Sequence, residues 1–107
     1  MKIPSDALIP HEKLTQYLLV SKEVDDKSKF LAQAGFVREN PDALVTAIRE
    51  LIQRENAVHD LTNVYGDYYR VEGELAGPKG RLLVVTIWIV KVHCDDKFRF
   101  VTLKPKR

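Results

Sequence analysis

The 107-residue chain has an apolar fraction of 45%, a charged fraction of 30% and a formal net charge of +2. This composition is typical of a globular protein and excludes a disordered chain or a fibrous repeat. The length suits a single domain over residues 1–107. The longest apolar run, Leu82 to Val90, is too short to span a bilayer, and the first residues lack the pattern of a secretory signal. Because Cys94 is the only cysteine, no internal disulfide can form, and we expect a cytoplasmic protein.

The N-terminal half has the hydrophobic spacing of short helices. The first predicted helix runs from Pro10 to about Val20, because proline suits a first helical turn and apolar side chains then share one face. A second helix is predicted from about Asp26 to Ala34. Gly35 follows it as the expected left-handed stop.

The third predicted helix, residues 40–54, has the clearest signals. Asn40 is its expected N-cap, Pro41 takes the first helical position, and Asp42 suits the positive end of the helix dipole. Four aliphatic residues follow at helical spacing: Leu44, Ile48, Leu51 and Ile52. We expect this stripe to lie against an apolar surface.

From Ala57 onward the hydrophobic period changes to two, which predicts β-strands near residues 57–64, 67–75, 81–92 and 97–103. The turns between them are short, which implies antiparallel neighbours. We therefore predict an α+β fold in which N-terminal helices pack on a four-stranded antiparallel sheet. The third strand is apolar on both faces, so we expect it to be central and Trp88 to be buried.

Several short motifs together resemble a bacterial family known as a domain of unknown function. They are Leu18-Leu19, Lys27-Ser28-Lys29-Phe30, Gly35-Phe36, Trp88, and Phe100-Val101-Thr102 with Pro105. The resemblance covers nearly the whole chain. It implies a stand-alone small protein or a module of polymorphic toxin systems, and it supplies no established active site. The chain departs from the family pattern at Val24-Asp25-Asp26, where a longer Gly-rich loop would stand.

The order of helices and then an antiparallel sheet is also the layout of barnase-like and EndoU-like ribonuclease toxins. One fold hosts many functions, so this likeness raises the expectation of RNA chemistry only slightly. The charge distribution points the same way. Residues 1–56 carry eight Lys/Arg and nine Asp/Glu, and residues 57–107 carry nine and six, which gives net charges of −1 and +3. The basic excess lies near the last strand and could meet phosphate, although such a tail more often serves solubility.

Metal-free RNA cleavage needs a base, an acid and a cation for the charged phosphorane. Strand alternation puts His59 on a face with Ala57 and Leu61, where it is the candidate base or acid. Arg70 is the candidate phosphate clamp and Thr102 a supporting donor. Each also has an ordinary role: His59 as a polar edge residue, Arg70 as the partner of a glutamate, and Thr102 as a β-former.

Four further residues are candidates for RNA binding: Tyr68, Lys104, Lys106 and Arg107. Tyr65, Tyr68 and Tyr69 suit base stacking. Alternation puts Tyr68 on a face with Arg70, Glu72 and Glu74, and puts Thr102 and Lys104 on a face with Phe98 and Phe100.

His93, Cys94, Asp95 and Asp96 are four potential metal ligands in one loop. Adjacent residues point in opposite directions, however, and no further ligands follow at workable spacing, so we expect a polar loop and no metal. The sequence has no Walker, G-x-G-x-x-G or G-x-S-x-G motif, and no cofactor is expected.

Two classes of function stay open. One is a toxin-like RNA-binding or ribonuclease-like module, which leaves open whether the chain is an enzyme. The other is a non-enzymatic module that binds a partner protein, or a second copy of itself as a homodimer, through a sheet edge or an apolar helix face. A dimer in solution would favour the second class, and a monomer with an open cleft containing His59 and Arg70 would favour catalysis.

Overall fold

The computed structural model describes residues 1–10, 12, 14, 27–91 and 96–106. Its helices and strands are α1 (Lys27–Ala32), α2 (Pro41–Arg54), β1 (Val58–Asn63), β2 (Gly66–Gly77), β3 (Gly80–Lys91) and β4 (Arg99–Pro105). The α+β class with a four-stranded antiparallel sheet is thus confirmed. The first predicted helix, Pro10–Val20, lies almost wholly outside the described residues. Neither α1 nor α2 has the length and apolar character that crossing a membrane requires.

The segment after α1 is a tight helix stop. Gly35 has a φ of 89°, the left-handed conformation expected there. The Gly35 N–H donates to the Ala32 carbonyl at 3.0 Å, and the Phe36 N–H donates to the Leu31 carbonyl at 3.1 Å. Leu31 and Phe36 are both buried, so the turn after α1 places a core side chain on each side of Gly35.

The predicted helix over residues 40–54 is confirmed as α2. Asn40 is its N-cap residue, although its side chain makes no capping hydrogen bond, and Pro41 starts the helix. The aliphatic stripe is buried as expected: Leu44, Ile48, Leu51 and Ile52. Leu51 lies against Gly73 of β2, so α2 contacts the sheet at that strand.

The sheet is a meander in the order β1-β2-β3-β4. β2 and β3 pair along their whole length, from Gly77 with Gly80 to Gly66 with Lys91. β1 pairs only with the first part of β2, where its last partner is Arg70. β3 has a neighbouring strand on both sides, which confirms its central position.

The two faces of the sheet differ in burial. We call the face that carries Val71, Val84, Trp88 and Leu103 the inner face, because all four side chains are buried in the core. The opposite face of the sheet is the outer face. The exposed fraction of Trp88 is 0%, as predicted. Its indole Nε1 donates to the Thr86 hydroxyl at 2.9 Å, and that hydroxyl donates to the Val71 carbonyl at 3.0 Å. The one polar atom of the largest core side chain therefore has a partner inside the core.

Bulges in β1 and β4 change which side chains share a face of the sheet, contrary to two of the predictions. The register shifts between His59 and Leu61, so Leu61 pairs with Tyr68 on the outer face while His59 pairs with Tyr69 on the inner face. A second shift lies opposite Ile87 and Trp88. The predictions that His59 shares a face with Leu61, and Thr102 and Lys104 with Phe100, were wrong, because an extra residue in a bulge inverts the alternation.

Trp88→Ala is expected to lower the free energy of unfolding by about 3–5 kcal/mol, because it deletes a large and fully buried aromatic side chain. The control is Leu83→Ala on the same strand. Leu83 is 54% exposed, and its replacement is expected to cost under about 1 kcal/mol. Urea unfolding followed by circular dichroism measures both. Equal losses would mean that Trp88 is not central to the core.

Gly77→Ala is expected to destabilise the fold by about 1–3 kcal/mol through overpacking. A Cβ at Gly77 would overlap the Ala34 carbonyl oxygen and lie 2.9 Å from the Phe36 ring. That carbonyl cannot move freely, because it accepts the Lys79 N–H at 2.9 Å.

The matched variant is Gly73→Ala. A Cβ there would meet the Leu51 Cδ1 atom at 2.7 Å, which is the end of a side chain that can rotate. We expect the smaller loss for Gly73→Ala in the same urea titration. The reverse order would contradict the role given to the fixed carbonyl.

Candidate functional site

One row of side chains crosses the outer face near the β1–β2 turn. The register pairs Leu61 with Tyr68, Tyr68 with Ile89, and Ile89 with Arg99. A pocket of about 380 Å³ opens beside this row. We call it the tyrosine pocket, and its lining residues are Pro10, Tyr65, Tyr68, Ile89, Lys91, Arg99, Phe100 and Val101. Its volume is in the range of pockets that hold small ligands, roughly 300–1,000 Å³.

The β1–β2 turn brings Tyr65 to the pocket rim. The Tyr65 backbone N–H donates to the Asn63 side-chain oxygen at 2.9 Å, an arrangement that holds the turn. Gly66 follows with a φ of 149°, and a Cβ there would overlap the Val90 carbonyl oxygen. Glycine at this position therefore lets the turn lie close to β3, and Tyr65 remains 67% exposed at the rim.

The tyrosine pocket has a cationic lining. Lys91 and Arg99 line it, and no carboxylate does so among the described residues. Lys91 is exposed, and its side chain has no ion-pair or hydrogen-bond partner within the part of the chain that is described. Two phenol rings and two cations around one opening suit a ligand with an aromatic ring and a negative charge.

Arg70 lies on the outer face but between carboxylates. Its guanidinium is 3.3 Å from an Asp60 oxygen and 3.7 Å from a Glu72 oxygen, and the second Glu72 oxygen is 3.3 Å from the Lys106 Nζ. We call this run of four charges the charge chain. The carboxylates offset the charge of Arg70, as in its ordinary role, and Lys106 is likewise paired.

His59 lies on the inner face at the open end of the sheet. Its Nε2 is 2.9 Å from the Thr62 hydroxyl and 3.5 Å from an Asp67 oxygen, and the Thr62 hydroxyl donates to Asp67. The imidazole also meets the Tyr69 ring edge-on, with 5.4 Å between centroids. His59 is thus a half-exposed member of a polar cluster and not part of the tyrosine pocket.

The three candidate catalytic residues are not brought together. His59 pairs with Tyr69, and adjacent Arg70 points to the other face of the sheet. Thr102 is also on the outer face: Arg70 of β2 pairs with Ile87 of β3, and Ile87 pairs with Thr102 of β4. The Thr102 hydroxyl accepts a hydrogen bond from the Lys27 Nζ at 3.0 Å. Arg70 and Thr102 therefore share a face, but His59 does not join them.

The candidate RNA-binding residues are not brought together at one site either. Tyr68 lines the tyrosine pocket, Lys104 is exposed on the outer face opposite Val85, and Lys106 belongs to the charge chain. Arg107 lies outside the described residues, as do three of the potential ligands in the loop: His93, Cys94 and Asp95. Within the described part of the chain, no group of three or more His, Cys, Asp or Glu side chains is arranged to hold a metal ion.

Sequence reasoning missed Lys91 as a neighbour of the tyrosines. The signal was available in the β2–β3 turn. Counting back from the pair Gly77 and Gly80 predicts that Tyr68 lies opposite Ile89 and that Gly66 lies opposite Lys91. A hairpin register follows from its turn, and this one puts a cation at the same end as the tyrosines.

The fold and the pocket define a small α+β protein whose antiparallel sheet has an aromatic, cationic opening on its outer face. The chain belongs to the family described as "Domain of unknown function (DUF6883)", whose model matches residues 3–107. This confirms the resemblance found in the sequence motifs. No curated protein matches the chain.

A solved structure shares the fold. It is a chain of the "Contact-dependent growth inhibition toxin - immunity protein complex from Klebsiella pneumoniae 342", with a TM-score of 0.71 and 19% sequence identity. The match covers 94% of this chain and 100% of that one. The two proteins therefore have the same overall architecture along almost their whole length.

Proposed function

We propose that this chain is a toxin-related module that binds single-stranded RNA through the tyrosine pocket. The observation that carries the proposal is the lining: Tyr65 and Tyr68 with Lys91 and Arg99, and no carboxylate among the described lining residues. A base stacked on an aromatic side chain contributes about 1–3 kcal/mol, and lysine and arginine bind the phosphates.

The relation to toxins is supported by the solved neighbour, which comes from a toxin–immunity complex. The order of helices and sheet, similar to that of ribonuclease toxins, supports it further. We also propose a bacterial origin and a cytoplasmic site of action. The family resemblance supports the first, and the single cysteine supports the second.

The outer face of β4 offers a continuation for the bound RNA strand. Arg99 and Lys104 lie opposite Ile89 and Val85 of β3, which are about 14 Å apart at about 3.4 Å per residue. Thr102 lies between them on the outer face. Lys104 has no ion-pair partner among the described residues. An RNA backbone leaving the pocket along β4 would meet Thr102 and then Lys104.

Binding has more geometric support than cleavage. Cleavage by the candidate set needs His59, Arg70 and Thr102 at one phosphate, and His59 lies across the sheet from the other two. The charge chain also offsets Arg70. Our proposal is therefore RNA binding, and catalysis by His59 stays a separate hypothesis.

A protein partner is a second candidate function, with a homodimer as one form of it. The neighbouring fold was solved in complex with a partner, which favours this candidate. Measuring the mass in solution distinguishes a homodimer from a monomer. A monomer is the state that we expect of an RNA-binding chain.

Wild-type protein is expected to bind a fluorescein-labelled single-stranded RNA, measured by anisotropy, with an affinity that falls as potassium chloride rises. Each neutralised phosphate contributes a log–log slope of about 0.7, so Lys91→Gln should flatten the slope by about that amount. Tyr68→Leu should weaken binding by roughly 5- to 150-fold with the slope unchanged, because stacking is lost and no charge is removed.

The matched control is Lys79→Gln. Lys79 lies in the turn at the opposite end of the β2–β3 hairpin, so the same charge is removed far from the tyrosine pocket. This variant should keep the wild-type slope. Absence of salt-sensitive binding, or an equal effect of Lys79→Gln and Lys91→Gln, would remove the RNA proposal.

His59→Ala is expected to leave the RNA affinity unchanged within about twofold, because His59 lies on the inner face and the tyrosine pocket on the outer face. The same preparation tests cleavage on a denaturing gel. If His59 is the proton-transfer group of a ribonuclease, wild-type protein cleaves RNA and the variant is slower by roughly 10²- to 10⁴-fold. Cleavage that survives His59→Ala would exclude His59 from that role.

A further inference from the structure

In the ranges that the structure describes, the second part of β2 has no neighbouring strand on one side. β1 pairs with β2 only as far as Arg70, and β2 continues to Gly77. From Glu72 to Ala76, no strand among the described residues pairs with β2 on the side away from β3. A strand edge without a neighbour presents backbone N–H and C=O groups to whatever approaches it.

The contact made by Arg54 identifies which backbone groups face outward. The Arg54 guanidinium donates to the Glu74 carbonyl at 2.5 Å, from the side of β2 that lacks a strand. Hydrogen-bonding direction alternates along a strand, so Glu72 and Ala76 also present their backbone groups on this side. Gly73 and Leu75 present theirs to β3.

A groove of about 430 Å³ runs along this edge, at the C-terminal end of α2. Its charged lining residues are Glu50, Arg54, Glu55, Glu74 and Arg81. Arg54 pairs with Glu55 at 3.5 Å and Arg81 with Glu74 at 3.4 Å. Glu50 has no ion-pair partner in the described part of the chain, so the lining has a net charge of −1.

We propose that this edge binds an extended segment of a partner protein, which adds to the sheet as a strand beside Glu72–Ala76 and carries a lysine or arginine opposite Glu50. Added strands take affinity from main-chain hydrogen bonds and specificity from the side-chain pockets that flank them. The Arg54 guanidinium occupies the Glu74 carbonyl, and the incoming strand displaces it. Leu83, 54% exposed on the groove wall, offers an apolar contact on the outer side.

The charges select this partner over two others. The net negative lining repels RNA, whose site in the proposed function is the cationic tyrosine pocket. A second copy of the chain, paired antiparallel and centred on this edge, would set Glu74 opposite Glu74 of the copy. Like charges directly opposite in a sheet are destabilising, so a different, basic chain fits better.

The test uses the full chain and a short, acetylated and amidated peptide that alternates lysine with valine. Titration is followed by NMR with amide hydrogen exchange. We expect saturable binding that slows exchange of the Glu72, Glu74 and Ala76 amides by at least about tenfold, as new hydrogen bonds form. The Gly73 and Leu75 amides, already directed at β3, should keep their rates.

Two variants sharpen the result. Arg54→Ala removes the competing donor and should tighten peptide binding by roughly 2- to 10-fold, the value of about one hydrogen bond. Arg38→Ala is the charge-matched control, because Arg38 is exposed and has no partner among the described residues. Glu50→Gln should weaken binding of the lysine peptide and not of one that alternates threonine with valine.

Three outcomes overturn the proposal. They are no binding to either wild type or Arg54→Ala, equal binding of a peptide whose backbone nitrogens are methylated, and protection elsewhere than at Glu72–Ala76. If Arg54→Ala does not fold, the exchange pattern and the methylated peptide still decide. RNA binding at the tyrosine pocket is unaffected by any of these results.

Discussion

The Thr86 hydroxyl joins the two longest strands inside the core. Trp88 is the largest buried side chain, and its indole N–H must keep a partner when it leaves water. The Thr86 hydroxyl accepts that hydrogen bond and donates its own to the Val71 carbonyl on β2. Because one hydroxyl satisfies a side chain of β3 and contacts the backbone of β2, the strands are held in one register at the point of deepest burial. The Phe100 ring then packs edge-on against Trp88 and brings β4 into the same cluster.

Both surface sites depend on that register. A slip of one residue between β2 and β3 would move every side chain of one strand to the other face. Tyr68 would then leave the tyrosine pocket and enter the inner face, and the outward-facing Glu74 carbonyl would turn toward β3. The core contact that buries Trp88 is therefore also what puts the aromatic pocket at one end of the hairpin and the open edge at the other.

Sequence reasoning succeeded where the pattern is local and failed where it depends on pairing. The helix over residues 40–54 was predictable because its proline, its acidic first turn and its aliphatic stripe lie within a few turns of one another. Trp88 and the central strand were predictable because a run that is apolar on both faces, apart from Thr86, has few other places to go. The bulges at Asp60 and Val101 were not, since no glycine or proline marks them.

The bulges explain most of what the sequence left open about the site. Each adds one residue to a strand, and the alternation beyond it is inverted. At Asp60 the extra residue brings its carboxylate to Arg70, at 3.3 Å, while Leu61 moves to the outer face. A candidate phosphate clamp thus acquires a carboxylate partner, and His59 stays on the other side. Neither effect follows from β1 alone, because both depend on which residues of β2 lie opposite.

The charge chain determines where the outer face carries charge that is not neutralised by an ion pair. Its exposed ion pairs contribute little stability individually, because water screens them. They do cancel charge in the middle of the face, where Asp60, Arg70, Glu72 and Lys106 neutralise one another. The cations left without carboxylate partners among the described residues then lie at the periphery, with Lys91 at the tyrosine pocket. This distribution supports the proposals that an anionic ligand binds at the pocket rather than at the central rows and that a basic strand binds at the groove, which has one excess carboxylate.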